Sequence, residues 1–393
     1  MAFYDGISFF IILLLGCIPA VILGLKERPI RNYLLAFSLL IIALIYGQEP
    51  IGLLYLAAYI FLEWHVIAVF QLLRKRWGKN QIVFYHAIAF ALLPLVIAKC
   101  SGLIGHHWFA FIGISYITFR VLQIIIETHD GLIEKSGFKE TMTFLLFFPS
   151  LSSGPIDRSR RFAEDLYTVP DRAAYMDLLQ KGIFKILQGL FYKFALSAIA
   201  FSYVERLSDR YAPVYLAAYA YMYGVYMFFD FAGYSLMAVG TGYVFGVRVP
   251  DNFNKPYISI DIKEFWDRWH ISLSHWFRDY VFSRFMMFAI RKKRFKNRLN
   301  AASAGFIVNM LVMGVWHGLS ADYLLYGLYH GVLLALTERF QKKKWYKEHR
   351  NKTWYKALSW FVTLNLVMFG FFIFSGRMTE TLSVAVHVLI NGR

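Results

Sequence analysis

The sequence predicts an all-α polytopic membrane protein with about eleven transmembrane helices plus re-entrant and interfacial helices, one embedded domain over residues 1–393. Three observations predict it. Hydrophobic residues make up 58% of the 393-residue chain and aromatic residues 19%, more than a soluble core requires. Long runs carry no charge: Gly6 to Leu25 is 20 residues, about 30 Å as a helix and one bilayer core thick. The basic residues gather in short loops between such runs, as loop charges do on the cytoplasmic side of a membrane.

Taken in order, the first run has only Asp5 before it, where a secretory signal needs a positive segment, so it reads as an uncleaved span. Further spans follow at 33–46, 50–73, 82–98, 103–126, 180–204, 212–245, 301–317, 321–337, 355–375 and 381–390. The loops "KERPIR", "RKRWGK", "EKSGFK", "DRSRR", "RKKRFKNR" and "ERFQKKKWYK" all fall on one side of this path. The positive-inside rule then places the N-terminus outside and the C-terminus in the cytoplasm. Within the single domain, 1–130 holds N-terminal spans, 140–335 a catalytic core and 350–393 C-terminal spans. The net charge of +17 is accounted for by these loops, so it points to membrane lipid and an acidic partner, and nucleic acid is not expected. Cys17 and Cys100 are the two cysteines, in or beside apolar runs. They supply neither a disulfide framework nor a metal site.

Three segments do not fit a simple span. "TMTFLLFFPSLSS" (141–153) is too short, ends in turn residues and has basic loops on both sides, so it is expected to enter and return. Arg172 to Lys185 reads as an amphipathic cytoplasmic helix. The third is "KEFWDRWHISLSHWFRDY" (263–280), which sets Asp267, His270, Ser274 and Arg278 among three tryptophans. On one continuous helix Phe265, Trp266, Trp269, Leu273, Trp276, Phe277 and Tyr280 share an arc of about 120°, and the polar residues line a strip beside it. This pattern suits an interfacial amphipathic helix. It also suits a helix inside the bundle that aims its polar strip into a cavity. His275, five residues after His270, is wrongly spaced for a two-histidine metal site.

A second histidine closes the run "NMLVMGVWHG": His317, between Gly314 and Gly318, which let a neighbour approach the backbone closely. Trp316 precedes it, and Asp322 and His330 follow. A histidine at membrane depth is either a hydrogen-bonded structural group or a functional one, and histidine moves protons near neutral pH.

These residues resemble the membrane-bound O-acyltransferase family. "FWDRWHISLSHWFRDY" and "MGVWHG" carry the resemblance, with "FFPSLSSGPIDRSRRF" (147–162) and "FDFAGYSLMAVGTGYVFGVRVPDNFNKPY" (229–257). Most of residues 140–335 is covered. After the motif the alginate O-acetyltransferase branch continues "RDYLYIPLGG"; here the chain reads "RDYVFSRFMMFAIRKKRFKNR", similar to the branch that transfers D-alanine. The resemblance implies that D-alanine arrives as a thioester on the phosphopantetheine arm of a small acidic carrier protein and ends as an ester on teichoic acid hydroxyls, directly or through an intermediate acceptor. An extracellular helper protein is a further implied partner. No bound cofactor or metal is implied. It maps the main catalytic histidine onto His317 and the second onto His270, where many eukaryotic relatives carry asparagine.

On this reading His317 accepts the proton of the attacking hydroxyl, worth about 10²–10⁴ in rate. His270 donates to the thioester carbonyl or holds the acyl group, and Asp267 or Ser274 orients it. Trp266, Asp267, Ser274 and Trp316 line the passage of the acyl group. Phe285, Met286, Met287 and Phe288 offer adaptable contact to the carrier, and Arg291, Lys292, Lys293 and Arg294 steer it, although the same loop suits anionic lipid. The alternatives are a polysaccharide O-acetyltransferase of the alginate type, a transporter or flippase without acyl chemistry, and a scaffold.

Overall fold

The computed structural model describes residues 2–106, 108 and 110–391. Positions 107 and 109 of the expected span 103–126, and terminal positions 1, 392 and 393, lie outside the described residues. The described chain is helical, in the order α1 (Ile7–Leu25), α2 (Arg31–Ile45), α3 (Pro50–Trp77), α4 (Gln81–Leu103), α5 (Ile114–Asp130), α6 (Phe138–Leu145), α7 (Ser159–Tyr167), α8 (Arg172–Phe191), α9 (Ser197–Leu207), α10 (Pro213–Val244), α11 (Ile262–Arg268), α12 (Ile271–Phe277), α13 (Ser283–Arg291), α14 (Arg298–His317), α15 (Ala321–Gln341), α16 (Lys344–His349), α17 (Thr353–Phe374) and α18 (Arg377–Asn391).

Among the described residues, six helices are long and apolar enough to cross a membrane: α1, α3, α4, the run Arg172–Leu207, α14 and α17. Other expected spans coincide with helices that are shorter, such as α2, α5 and α18, or less apolar, such as α10 and α15. The amphipathic segment expected at Arg172–Lys185 is not separate. It continues through a π-turn at Tyr192–Leu196 into α9. The 36 residues reach about 54 Å, well beyond a bilayer core of about 30 Å, so the charged end projects past the apolar layer.

The chain forms two compact units, Met1–Leu190 with Tyr234–Asp251, and Phe191–Gly233 with Asn252–Arg393. The first is organised around α5, buried over nearly its whole length. Tyr59 and Thr118 share a hydrogen bond of 2.8 Å between α3 and α5. The rings of Phe37, Phe148 and Phe245 pack with centroids 5.4 to 5.6 Å apart. The segment 141–153 is, as expected, too short to span: α6 ends at Leu145 and a 3₁₀ turn covers Phe148–Ser150. Its irregular backbone is buried, and Arg120 satisfies it, donating to the carbonyls of Phe144 (2.8 Å), Leu145 (2.9 Å) and Ser150 (2.8 Å). Non-helical backbone in such surroundings needs a partner of this kind.

The second unit is built on the α14–α15 hairpin. Gly314 lies against the Tyr323 carbonyl, and a Cβ at Gly327 would stand 2.5 Å from the Met310 carbonyl. One at Gly331 would stand 2.8 Å from the Ile307 Cα. Gly314 on one helix and Gly327 and Gly331 on the other let the two backbones touch, as small residues do in membrane helix pairs. Helix α17 closes on α15 through Gly370, where a Cβ would meet His330 Nε2 at 2.5 Å, and through Tyr329, which donates to the Leu366 carbonyl at 2.9 Å.

Candidate active site

The stretch read as one helix through His270 is two. Helix α11 starts at a capping box: Asp261 accepts from the Glu264 amide at 2.9 Å, and Glu264 accepts from the Ile260 amide at 2.8 Å. It ends at Arg268. Trp269 is extended, with φ −106°, and His270 sits in the left-handed region at φ 45°, ψ 52°. For a residue with a Cβ that conformation costs about 1–2 kcal/mol. Long-range bonds hold it open. The Asn254 amide donates to the Arg268 carbonyl at 3.0 Å, and the Ile271 amide to the Asn252 carbonyl at 2.9 Å. The Asn252 side chain accepts from the Ser272 amide at 3.2 Å and the Ser272 hydroxyl at 2.6 Å. Asn252 thus does for α12 what an N-cap does.

The break turns His270 inward. It is 4% exposed, its ring stands edge-on to Phe231 at 4.6 Å, and Nε2 is buried without a hydrogen-bond partner. Burial, and after it the charge of His317, hold the imidazole well below its usual range, so it is neutral near pH 7.

His317 closes α14 in a half-buried aromatic setting. Its ring centroid lies 4.6 Å from Trp316, 5.1 Å from Phe374, 6.0 Å from Tyr323 and 6.3 Å from Tyr326.

The other sequence-derived residues separate into groups. Trp266, Asp267 and Ser274 line a cavity of about 260 Å³ with Asn309, Met310 and Met313; Trp316 sits instead against His317. Neither Asp267 nor Ser274 bonds to His270, contrary to the helical-strip expectation. Ser274 donates to the Trp269 carbonyl at 3.2 Å, and Asp267 faces Arg278 at 4.0 Å. The break at His270 is what removes the strip. The apolar arc survives, since Phe265, Trp266, Trp269, Leu273, Trp276 and Phe277 are all buried. In α13, Phe285 turns in toward Gly305, whereas Met287 and Phe288 face outward and Met286 is half-buried. Arg291, Lys292 and Lys293 are exposed beyond them. Sequence reasoning did not single out Asn252; its signal is an asparagine in "VPDNFN", readable only through its distant partner.

The helical architecture, with six helices among the described residues long and apolar enough to cross a membrane, defines a class, a multi-pass membrane protein. The comparisons narrow it. A model of the membrane-bound O-acyltransferase family matches residues 40–377. The teichoic acid D-alanyltransferase of Bacillus subtilis is 41% identical over 388 residues, 95% of this chain and 98% of the relative. That of Streptococcus thermophilus is 38% identical over 400 residues, 96% of this chain and 95% of the relative. A probable alginate O-acetylase of Pseudomonas aeruginosa is 34% identical over 279 residues, 70% of this chain but 50% of the relative. The chain belongs to the membrane-bound O-acyltransferase family and is a multi-pass membrane acyltransferase.

Proposed function

We propose that this protein transfers D-alanine to teichoic acid. The observation that carries the reading is similarity over nearly the full length of the D-alanyltransferases, against half of the alginate O-acetylase. The donor is the thioester on the phosphopantetheine arm of an acidic carrier protein, so no resident cofactor is needed. With the N-terminus outside and the C-terminus cytoplasmic, the basic end of α13 faces the compartment where that carrier is loaded. The acceptor is a teichoic acid hydroxyl or an intermediate acceptor presented from outside, with room for an extracellular helper.

In the step itself the acceptor oxygen attacks the thioester carbonyl carbon. The His317 imidazole takes the hydroxyl proton as the C–O bond forms, the C–S bond breaks, and the proton passes to the leaving thiolate. Ester and thiol are the products, and charge and atoms balance. His270, neutral and with Nε2 unpartnered, supplies a donor toward the carbonyl oxygen on which negative charge gathers, a role that preorganised donors fill at about 3–4 kcal/mol each. Trp266, Asp267 and Ser274 line the approach, and Trp316 packs on the His317 ring. The orphan nitrogen of His270 and the aromatic setting of His317 support this assignment.

The test is transfer of radiolabelled D-alanine from its carrier by the purified protein in lipid nanodiscs, for the parent and for His317→Ala. The variant is expected to bind the carrier and lose transfer by about 10²–10⁴. Retained transfer rejects His317 as base. Transfer of acetyl from an acetyl donor with none from the D-alanyl carrier would move the chain to the polysaccharide O-acetyltransferase reading.

A further inference from the structure

His330 belongs to neither imidazole role above, yet it is 1% exposed at the centre of the second unit. Its Nδ1 accepts from the Trp266 indole N–H at 3.4 Å. That bond requires a lone pair on Nδ1, so the ring carries its proton on Nε2. Nε2 is pressed on α17 at Gly370. The ring stands edge-on to Trp266 at 5.3 Å and meets Tyr326 at 4.7 Å. Each of those neighbours has a second duty. Trp266 is a wall of the 260 Å³ cavity, and Tyr326 packs against the His317 ring at 6.3 Å. The His330 ring therefore touches both a wall of the cavity, Trp266, and a neighbour of the His317 ring, Tyr326.

We propose that His330 is a positioning residue: as a neutral acceptor for Trp266, it fixes the Trp266 ring that walls the cavity and the Tyr326 ring that packs on His317. The proposal rests on the reading of His317 as general base. His330 touches no reacting atom. What it controls is the angle of an aromatic frame, and misplacement of a reacting group by about 1 Å costs up to about 10²-fold in rate. The relevant chemistry is the acceptor on Nδ1, not the size of the ring. Phenylalanine keeps the ring and loses the acceptor; asparagine gives up the ring and keeps an oxygen where Nδ1 stands.

The experiment measures kcat and KM for the carrier-bound donor in nanodiscs for His330→Phe, His330→Asn, Trp266→Phe, the Trp266→Phe/His330→Phe double variant and His317→Ala, each checked for thermal unfolding. His330→Phe is expected to lower kcat by about 10–100-fold with KM little changed, and His330→Asn to recover most of the loss. Trp266→Phe should lower kcat as His330→Phe does, with the double variant no worse than either, as for two members of one bond. Full kcat in His330→Phe, an Asn variant as slow as the Phe variant, or additive losses in the double variant overturns the proposal. If His330→Phe does not fold, Trp266→Phe and His330→Asn decide, the first slow and the second fast. If His317→Ala keeps transfer, the base reading fails and this inference falls with it. If His317→Ala loses transfer while His330→Phe is fully active, this inference alone fails.

Discussion

Arg120 donates through Nη2 to both the carbonyl and the hydroxyl oxygen of Ser150, at 2.8 Å each, and through Nη1 to two more carbonyls. One guanidinium thus satisfies the buried turn between α6 and the 3₁₀ segment. Arg120→Met leaves three carbonyls without partners, each worth about 1–3 kcal/mol when orphaned. We expect a large drop in the thermal midpoint in detergent, and a drop nearly as large for Arg120→Lys, whose point-like ammonium does not reproduce the fork. A lysine variant as stable as the parent would show that charge, not geometry, holds the turn.

Asn252 is the second such joint. Asn252→Leu removes the acceptor for the Ser272 amide and hydroxyl, at a cost of about 1–2 kcal/mol by analogy with helix caps. Because the same residue holds the break open, acyl transfer should fall more than stability does. Asn252→Asp keeps the oxygen and should stay close to the parent in both. Equal activity for the Leu and Asp variants would separate the cap from catalysis.

His270 makes stability depend on pH, and the sign follows from its depressed folded value. In the unfolded chain histidine titrates near 6.5. Above that pH both states hold it neutral and nothing is lost. As pH falls below about 6.5, the unfolded chain takes up a proton that the folded chain refuses, so stability declines by up to about 1.4 kcal/mol per pH unit until the folded value is reached. Thermal midpoints between pH 7 and 5 should fall less steeply in His270→Gln than in the parent. Parallel slopes would show that the ring is not held neutral.

The hairpin glycines tolerate no side chain. Gly314→Ala and Gly327→Ala each drive a methyl against a backbone carbonyl of the facing helix, and backbone does not rotate away as a side chain does. Each substitution should lower the thermal midpoint, with activity lost in parallel since His317 lies three residues from Gly314. Gly47→Ala, with open space around it, serves as control.

On α13 the exposed Met287 separates docking from packing. Met287→Asp should weaken binding of the purified carrier protein while leaving the thermal midpoint unchanged, and Phe285→Asp should unfold the protein because Phe285 packs on Gly305. Carrier binding unaffected by Met287→Asp, measured by interferometry, would falsify α13 as the docking surface.

Much of this molecule was legible in the chain. Charge-free runs and basic loops specify membrane helices because burial in lipid leaves no cheap alternative for them. The short segment 141–153 was readable from its length and its Ser, Gly and Pro, although its clamp, Arg120, was not: a lone arginine in an apolar run names no partner. The break at His270 was hidden for a related reason. Apolar residues recur at helical spacing from Phe265 to Tyr280, and that rhythm runs straight through the kink. What ends α11 is a set of bonds from residues 252 and 254, more than ten positions upstream, which no local pattern reports. The merging of Arg172–Lys185 with the following span was missed because its polar face signals an interface whether or not the helix goes on.

The contact of α14 with α15 has one more consequence. Two helices whose main chains already touch have no slack to take up, so a shift of α14 must carry α15 with it. The hairpin is thus one stiff unit, and whatever flexes around it must do so in the helices packed on its outside.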